Sequence, residues 1–338
     1  MSSIPSRETS ARPTGYRGPN LSPAGLHLIP RKLTDRTYAL VANIPPKDNN
    51  GLIVGDRAAL VVDAGVTADV SRQIQRIAGE LTNLPLRYLV NTTYHGDHTF
   101  GNAAFPDDTV IVSSRLNRQN MTDLEREKQI RTGNMYGDTA LEGVHDWRLP
   151  DVTFDYSAEI DLGGRTVKLF RFGPGNGPGD TIVYLSDART AWTGNYLCHA
   201  GIAPMLLQGG PQPYVESLKH MRDELPELRT IVPGHGPIGN GAEALEWLID
   251  YLESLTADVT GLRARGRDED QTLDECPSPF ADGLDNRVIE ALADYEVPRE
   301  AARQHLLELM HHLHRLNVLV TYRGLVNDEA SSAQSRVG

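Results

Sequence analysis

The segment Asn91-Thr92-Thr93-Tyr94-His95-Gly96-Asp97-His98-Thr99-Phe100-Gly101-Asn102 constrains this chain more than any other. It continues a short apolar strand predicted over Arg87 to Asn91, so it reads as a strand-to-helix loop. Two imidazoles and one carboxylate within four residues can converge on one point. Neutral imidazole and carboxylate are the usual ligands of zinc and iron. A lone histidine is most often structural; His95, Asp97 and His98 together, beside glycines, point to chemistry.

The remaining chain supplies the frame. A length of 338 residues suggests about two domains, or one large α/β body with an appendage. Leu52–Val54 and Ala59–Val62 read as strands around Gly55-Asp56, and Asp63-Ala64-Gly65 ends the second. Val70, Ile74, Ile77 and Leu81 recur at helical spacing. A helix is predicted over Asn120 to Arg131, within a charged stretch (114–148) that otherwise reads as loop. Val152 to Phe172 reads as one hairpin about Gly163-Gly164. Strands follow at Thr181–Leu185, Thr190–Thr193 and Thr230–Val232, with a helix over Tyr214–Leu225. From Ala242 the pattern is helical: Ala242–Leu262, Asn286–Asp294 and Pro298–Asn317, with the charged run Arg267–Asp270 expected as a solvated loop. The expected organisation is a flexible arm (1–20), an α/β body (21–240) and a C-terminal helical region (241–338).

A formal net charge of -12 repels phosphate backbones and anionic lipid, so nucleic acid and membrane surfaces are excluded as expected partners. The first twenty residues hold no apolar run of signal-peptide length, so a cytoplasmic location is expected. Two cysteines, Cys198 and Cys276, cannot build a disulfide framework.

Three further loops matter: Gly173-Pro174-Gly175-Asn176-Gly177-Pro178-Gly179-Asp180, then Trp192-Thr193-Gly194-Asn195, then Val232-Pro233-Gly234-His235-Gly236. With Thr93-Tyr94-His95-Gly96-Asp97-His98 and the hairpin ending in Asp63-Ala64-Gly65, the chain resembles the metallo-β-lactamase fold superfamily over about residues 25–250. The resemblance implies an αββα sandwich with a C-terminal helical appendage. It also implies two metal positions, one matched by Thr93, His95 and Asn176, the other by Asp97, His98 and His235. Asn195 stands where the family places a bridging Asp.

The departures change the expected chemistry. Thr93, Asn176 and Asn195 are neutral oxygen donors where imidazole or carboxylate is expected. The resemblance therefore implies a mononuclear site, one divalent zinc or iron on Asp97, His98 and His235; a metal-free polar pocket is the alternative. His95 and Asp97 are the candidate catalytic residues, with His95 as acid or base. Thr93, Tyr94, Asn176, Asn195 and His199 are candidate substrate-binding residues, with His199 expected in the same cleft. Three functions stay open. The first is hydrolysis of an ester, thioester, lactone or amide in a small molecule. The second is non-hydrolytic chemistry, either an iron-dependent oxidation or a metal-free dehydration or cyclisation through His95. The third is an inactive ligand-binding protein.

The tail carries His305, His311, His312 and His314, read as a solvated or interfacial face. Beside them runs the apolar stripe Leu306, Leu309, Met310, Leu313 and Leu316. That stripe is expected to cover either the body or a second copy of the chain, making a homodimer.

Overall fold

Period-two burial sorts the strands into two sheets. In the computed structural model, which describes residues 12–206 and 210–335, the first sheet runs β1 (Leu28–Thr34), β2 (Thr37–Ala42), β3 (Asn50–Val54), β4 (Ala59–Val62), β5 (Leu86–Val90), β6 (Val110–Ser114) and β7 (Val152–Phe154), in that spatial order. The second sheet takes β8 (Ser157–Asp161), β9 (Thr166–Phe170), β10 (Ile182–Leu185), β11 (Thr190–Gly194), β12 (Thr230–Pro233) and β13 (Gly239–Asn240), ordered from β13 to β8. Along β3 and β4, Ile53, Leu60 and Val62 join the cluster that holds the second sheet, while Leu52 and Val61 join a separate cluster. With both faces buried, such strands read as continuous apolar runs.

The second cluster is closed by α1 (Ala68–Leu81), which buries Val70, Ile74 and Ala78 and is capped by the Thr67 side chain. Short helices follow at α2 (Gly96–Thr99), α3 (Arg115–Asn120) and α4 (Leu124–Thr132), then α5 (Pro211–Glu224) and α6 (Gly241–Ala264) on the second sheet's side. The layers are helix, sheet, sheet, helix, followed by α7 (Glu269–Glu275), α8 (Asn286–Ala291) and α9 (Arg299–Ser335). No helix among the described residues is long and apolar enough to cross a membrane.

Strand direction places the site. β4, β5 and β6 are mutually parallel, as are β11 and β12. The loops leaving them therefore gather beyond the carboxyl ends of the strands, where open α/β sheets form their binding crevice.

Several sequence expectations are corrected here. β1 and β2 precede the first strand read from the sequence; β1 is an edge strand with only Leu28 buried, so its pattern is weak. Val152–Phe172 is not one hairpin: β7 pairs with β6 in the first sheet, and only β8 and β9 form the hairpin. The run Arg267–Asp270 is not a loop throughout, because Asp268 caps α7 in a reciprocal capping box with Gln271. Of the arm, residues 1–11 lie outside the described residues. Residues 12–20 dock on the body, where Tyr136 donates to the Gly18 carbonyl at 2.8 Å.

The tail stripe is spent inside the chain. Leu306, Leu309, Met310, Leu313 and Leu316 are all buried, so these residues cover the body, one of the two expected uses of the stripe. His314 also departs from the expected solvated face. It is 5% exposed and accepts the Tyr251 hydroxyl at Nδ1, 3.1 Å away. Burial pushes its pKa down to about 4. The unfolded chain, with an ordinary His near 6.5, binds this proton first as pH falls. Stability held above pH 6.5 is therefore lost progressively toward pH 4, by up to about 3 kcal/mol from this group. Urea midpoints at pH 7 and pH 5 should differ less in His314→Gln than in the parent chain; equal differences would assign the pH dependence elsewhere.

Candidate metal centre

Each ligand arrives on a loop whose backbone is held by buried polar groups. Asp97 and His98 lie in α2, just after β5. Here the Gly96 N–H donates to Glu127 Oε1 at 2.8 Å. His235 follows β12 in a loop that must pass close to His98: a Cβ on Gly234 would lie 2.6 Å from His98 Cε1. The same loop is tied to the β2–β3 connection by Asn49. Its side-chain Nδ2 donates to the carbonyls of Pro233 (2.9 Å) and Gly236 (2.8 Å).

The two imidazoles are aimed by their far nitrogens. His98 Nδ1–H donates to Asp63 Oδ2 at 3.0 Å, and His235 Nδ1–H donates to the Pro46 carbonyl at 2.7 Å. Both Nε2 atoms then face Asp97 Oδ2, at 3.7 Å for His98 and 3.3 Å for His235. Asp63 can do this because it sits at φ 59° at the end of β4, a conformation that Asp tolerates better than most residues. Its other oxygen accepts the Thr92 N–H at 2.7 Å.

Asp48, from the loop between β2 and β3, completes the cluster. One ligand atom from each of Asp48, Asp97, His98 and His235 lies within 4.8 Å of the others. Asp48 Oδ1 is 3.2 Å from His235 Nδ1 yet not hydrogen-bonded to it, because that N–H points at Pro46.

The electrostatics are those of a cation site holding protons. Burial pushes Asp48 up to about 7, against the opposing pull of His235. Burial would raise Asp97 too, but His98, His235 and Arg131 hold it well below the usual carboxylate range. Burial disfavours charge on His98, yet Asp63 and Asp97 push it up to about 10.

The donors fit a divalent ion. A tetrahedral ion with bonds of about 2.0–2.1 Å separates its ligand atoms by roughly 3.3 Å, close to the 3.3 and 3.7 Å found here. The buried Oδ1 atoms of Asp48 and Asp97 have no hydrogen-bond partner among the described residues, so the cluster carries carboxylate charge that a cation would offset. Carboxylate or carbonyl acceptors behind each ligating imidazole are the usual outer shell of such sites.

The other half of the family's site is differently built. Asn195 lies between the two motif histidines: its Oδ1 is 3.2 Å from His98 Nε2, and its Nδ2 donates to His95 Nδ1 at 3.0 Å. His95 therefore carries its proton on Nε2, an atom that is buried without a partner. Burial, and then Arg131, push His95 down to about 3, so the ring is neutral. Asn176 donates to the Met205 carbonyl at 2.8 Å. Thr93 is fully buried next to Asp180. From α4, Glu127 and Arg131 reach in as a buried pair (2.7 Å), with the Arg131 guanidinium 3.9 Å from Asp97 Oδ1.

One pocket opens on this centre, lined by His95, Asp97, Arg131, Asn176, Asn195 and His235 at its polar end. Three expected residues stand apart from it. Tyr94 packs edge-on behind His95, with ring centroids 4.4 Å apart, and Thr93 lies deeper. His199 faces away and donates Nδ1–H to the Ala200 carbonyl at 2.6 Å; its neighbour Cys198 lines the pocket instead. Trp192 and Tyr196 belong to the core.

Asp48, Asp63, Glu127 and Arg131 carry roles that their local sequence did not reveal. The polar run Lys47–Asn50 between two strands was the one available signal for Asp48.

Two sheets packed between helices, with Asp48, Asp97, His98 and His235 gathered at one loop edge, define an αββα sandwich with a candidate metal centre. The family model of the metallo-beta-lactamase superfamily matches residues 47–235, and the chain belongs to that superfamily. A linear primary-alkylsulfatase from Pseudomonas sp. (strain ATCC 19151) is 23% identical over 264 residues, covering 66% of this chain and 48% of the relative. The chain thus spans about half the length of that enzyme. A beta-lactamase-like protein 2 homolog from Caenorhabditis elegans is 25% identical, covering 68% of this chain and 71% of the relative. Among solved structures, a metallo-beta-lactamase from Pontibacter korlensis superposes with a TM-score of 0.51 at 18% identity, covering 67% of this chain and 99% of its own. One from Erythrobacter litoralis gives 0.53 at 18% identity, covering 67% and 96%. At that identity these structures speak for the fold.

Proposed function

We propose that the chain is a mononuclear metal-dependent hydrolase, cleaving an ester, thioester, lactone or amide bond in a small molecule. The observation that carries this reading is the convergence of His98 Nε2, His235 Nε2 and Asp97 Oδ2 at separations of 3.3 and 3.7 Å. Asp63 and the Pro46 carbonyl each face an Nδ1, which turns both Nε2 atoms toward Asp97. Thr93 and Asn176 bring no imidazole or carboxylate to the other half-site. Membership of a largely hydrolytic superfamily supports the general class.

Asp97, His98 and His235 would hold the ion, with the Asp48 carboxylate as a fourth donor. A divalent zinc or iron there would supply Lewis-acid polarisation and a more acidic water. His95 then takes a role different from acid–base catalysis. Its Nδ1 is occupied by Asn195, so the neutral ring presents Nε2–H to the pocket as a hydrogen-bond donor. A buried donor aimed at a reacting carbonyl oxygen stabilises charge that develops there, typically about 10²–10³-fold in rate. Asn195 is its positioning residue, and Arg131 adds positive potential from behind.

Elemental analysis of protein purified without added metal tests this directly. About one zinc or iron per chain is expected, as for a site with one ligand set. Two ions per chain would overturn the mononuclear reading. Hydrolysis of ester, thioester and lactone panels that survives full chelation would overturn metal dependence.

A further inference from the structure

The polar centre described above occupies only one end of its pocket. The opposite wall is built by α9, through Leu306, Leu309, Met310 and Leu313, all buried. Leu21 and the Ile202–Met205 loop close the sides. Cys198 adds to this apolar lining, since burial pushes its thiol up to about 12 and leaves it uncharged. Residues of α9 lie outside the segment 47–235 matched by the superfamily, so this wall is an addition to the shared fold.

The wall is also held in register with the centre. Asn317, one turn beyond Leu313, accepts the Leu206 N–H at Oδ1 (2.9 Å). Its Nδ2 donates to the Pro204 carbonyl (2.9 Å) and to the Tyr251 hydroxyl (3.1 Å). Between those two anchored residues, the Met205 carbonyl accepts from Asn176, which lines the polar end. Helix, loop and centre are therefore one hydrogen-bonded unit, and the depth of the pocket is set by α9.

We infer that this site takes an ester-type substrate whose acyl or alkyl portion is a compact apolar group seated against α9, with Leu309 and Met310 setting its length. The inference rests on the hydrolytic reading above. Charged or strongly hydrated groups at that end would lose water without finding a partner. Each methylene buried there should raise kcat/KM about fourfold until the wall is reached, the factor given by the transfer free energy of a methylene.

The test uses two series on the full chain. In the first, p-nitrophenyl esters from acetate to decanoate are compared with the p-nitrophenyl hemisuccinate. An optimum at intermediate length and rejection of the hemisuccinate are expected. Met310→Trp should move the optimum to shorter chains and Leu309→Ala to longer ones. In the second, methyl ketones from butanone to decanone, which hold no hydrolysable bond, are titrated calorimetrically into the unmodified protein. Affinity should rise with chain length up to the same limit. Ketone affinity independent of length would overturn the inference even if esters are cleaved. Length-dependent ketone binding with no ester turnover would uphold the apolar seat and overturn the hydrolytic reading instead.

Discussion

Asp97→Asn should lower the metal content of the purified protein from about one ion per chain to background and reduce hydrolysis by at least about a hundredfold. Loss of outer-shell partners alone costs about 10–100-fold in metal affinity or activity, so a ligand should cost more. The side chain keeps its shape but loses the charge that faces His98, His235 and Arg131 at 3.7, 3.3 and 3.9 Å. Arg131 and the two imidazoles then share a buried space with one carboxylate fewer to offset positive charge. Breaking one partner out of a buried charge cluster typically costs about 3–5 kcal/mol, so the melting temperature should fall as well. Circular dichroism at low temperature separates loss of the ion from loss of the fold. A variant that keeps its metal and its rate would remove Asp97 from the centre.

Asp63→Asn should produce a second large effect without touching any ligand. Asn is as tolerant as Asp of the left-handed backbone at this position, and its amide oxygen can still accept from Thr92. Its amide nitrogen, however, is a donor where His98 Nδ1–H needs an acceptor. The ring must then accept at Nδ1 and carry its proton on Nε2, the atom that should ligate. Metal affinity is expected to fall about 10–100-fold, the range for outer-shell partners of metal-binding histidines. Competition titration against a chelator reads it, and Asp63→Glu would be no rescue because the longer arm displaces the carboxylate. Unchanged affinity would mean that His98 is not aimed by Asp63.

How much of this site was legible in advance depended on how local each signal was. His95, Asp97, His98 and His235 stand at strand ends beside glycine, and a chain can hold such residues there only on sharp, close-packed turns. Their order along the sequence and the substitutions at Thr93, Asn176 and Asn195 were readable for the same reason. Asp48 was not, because its partner His235 is 187 residues away and the two meet only through pairing of their loops. Glu127 and Arg131 are spaced i, i+4 on a charged helix, a pattern that normally lies in water. Only the docking of α4 against α2 makes them a buried pair at the centre. His199 misled because one residue's shift around a turn reverses the direction of a side chain, and Cys198 took the place facing the pocket.

By itself the sequence determined the superfamily, the αββα layering and the placing of Thr93, Asn176 and Asn195 where the family carries imidazole or carboxylate, since these follow from residue types at fixed places along the chain. Tertiary structure alone decided which group faces each imidazole nitrogen, that Asp48 meets Asp97, His98 and His235, and that Asn195 Nδ2 sits against His95 Nδ1. It also decided that Leu306, Leu309, Met310 and Leu313 of α9 wall the pocket. These depend on contacts between residues far apart in the chain, where hydrogen-bond direction and burial, rather than residue identity, set the chemistry.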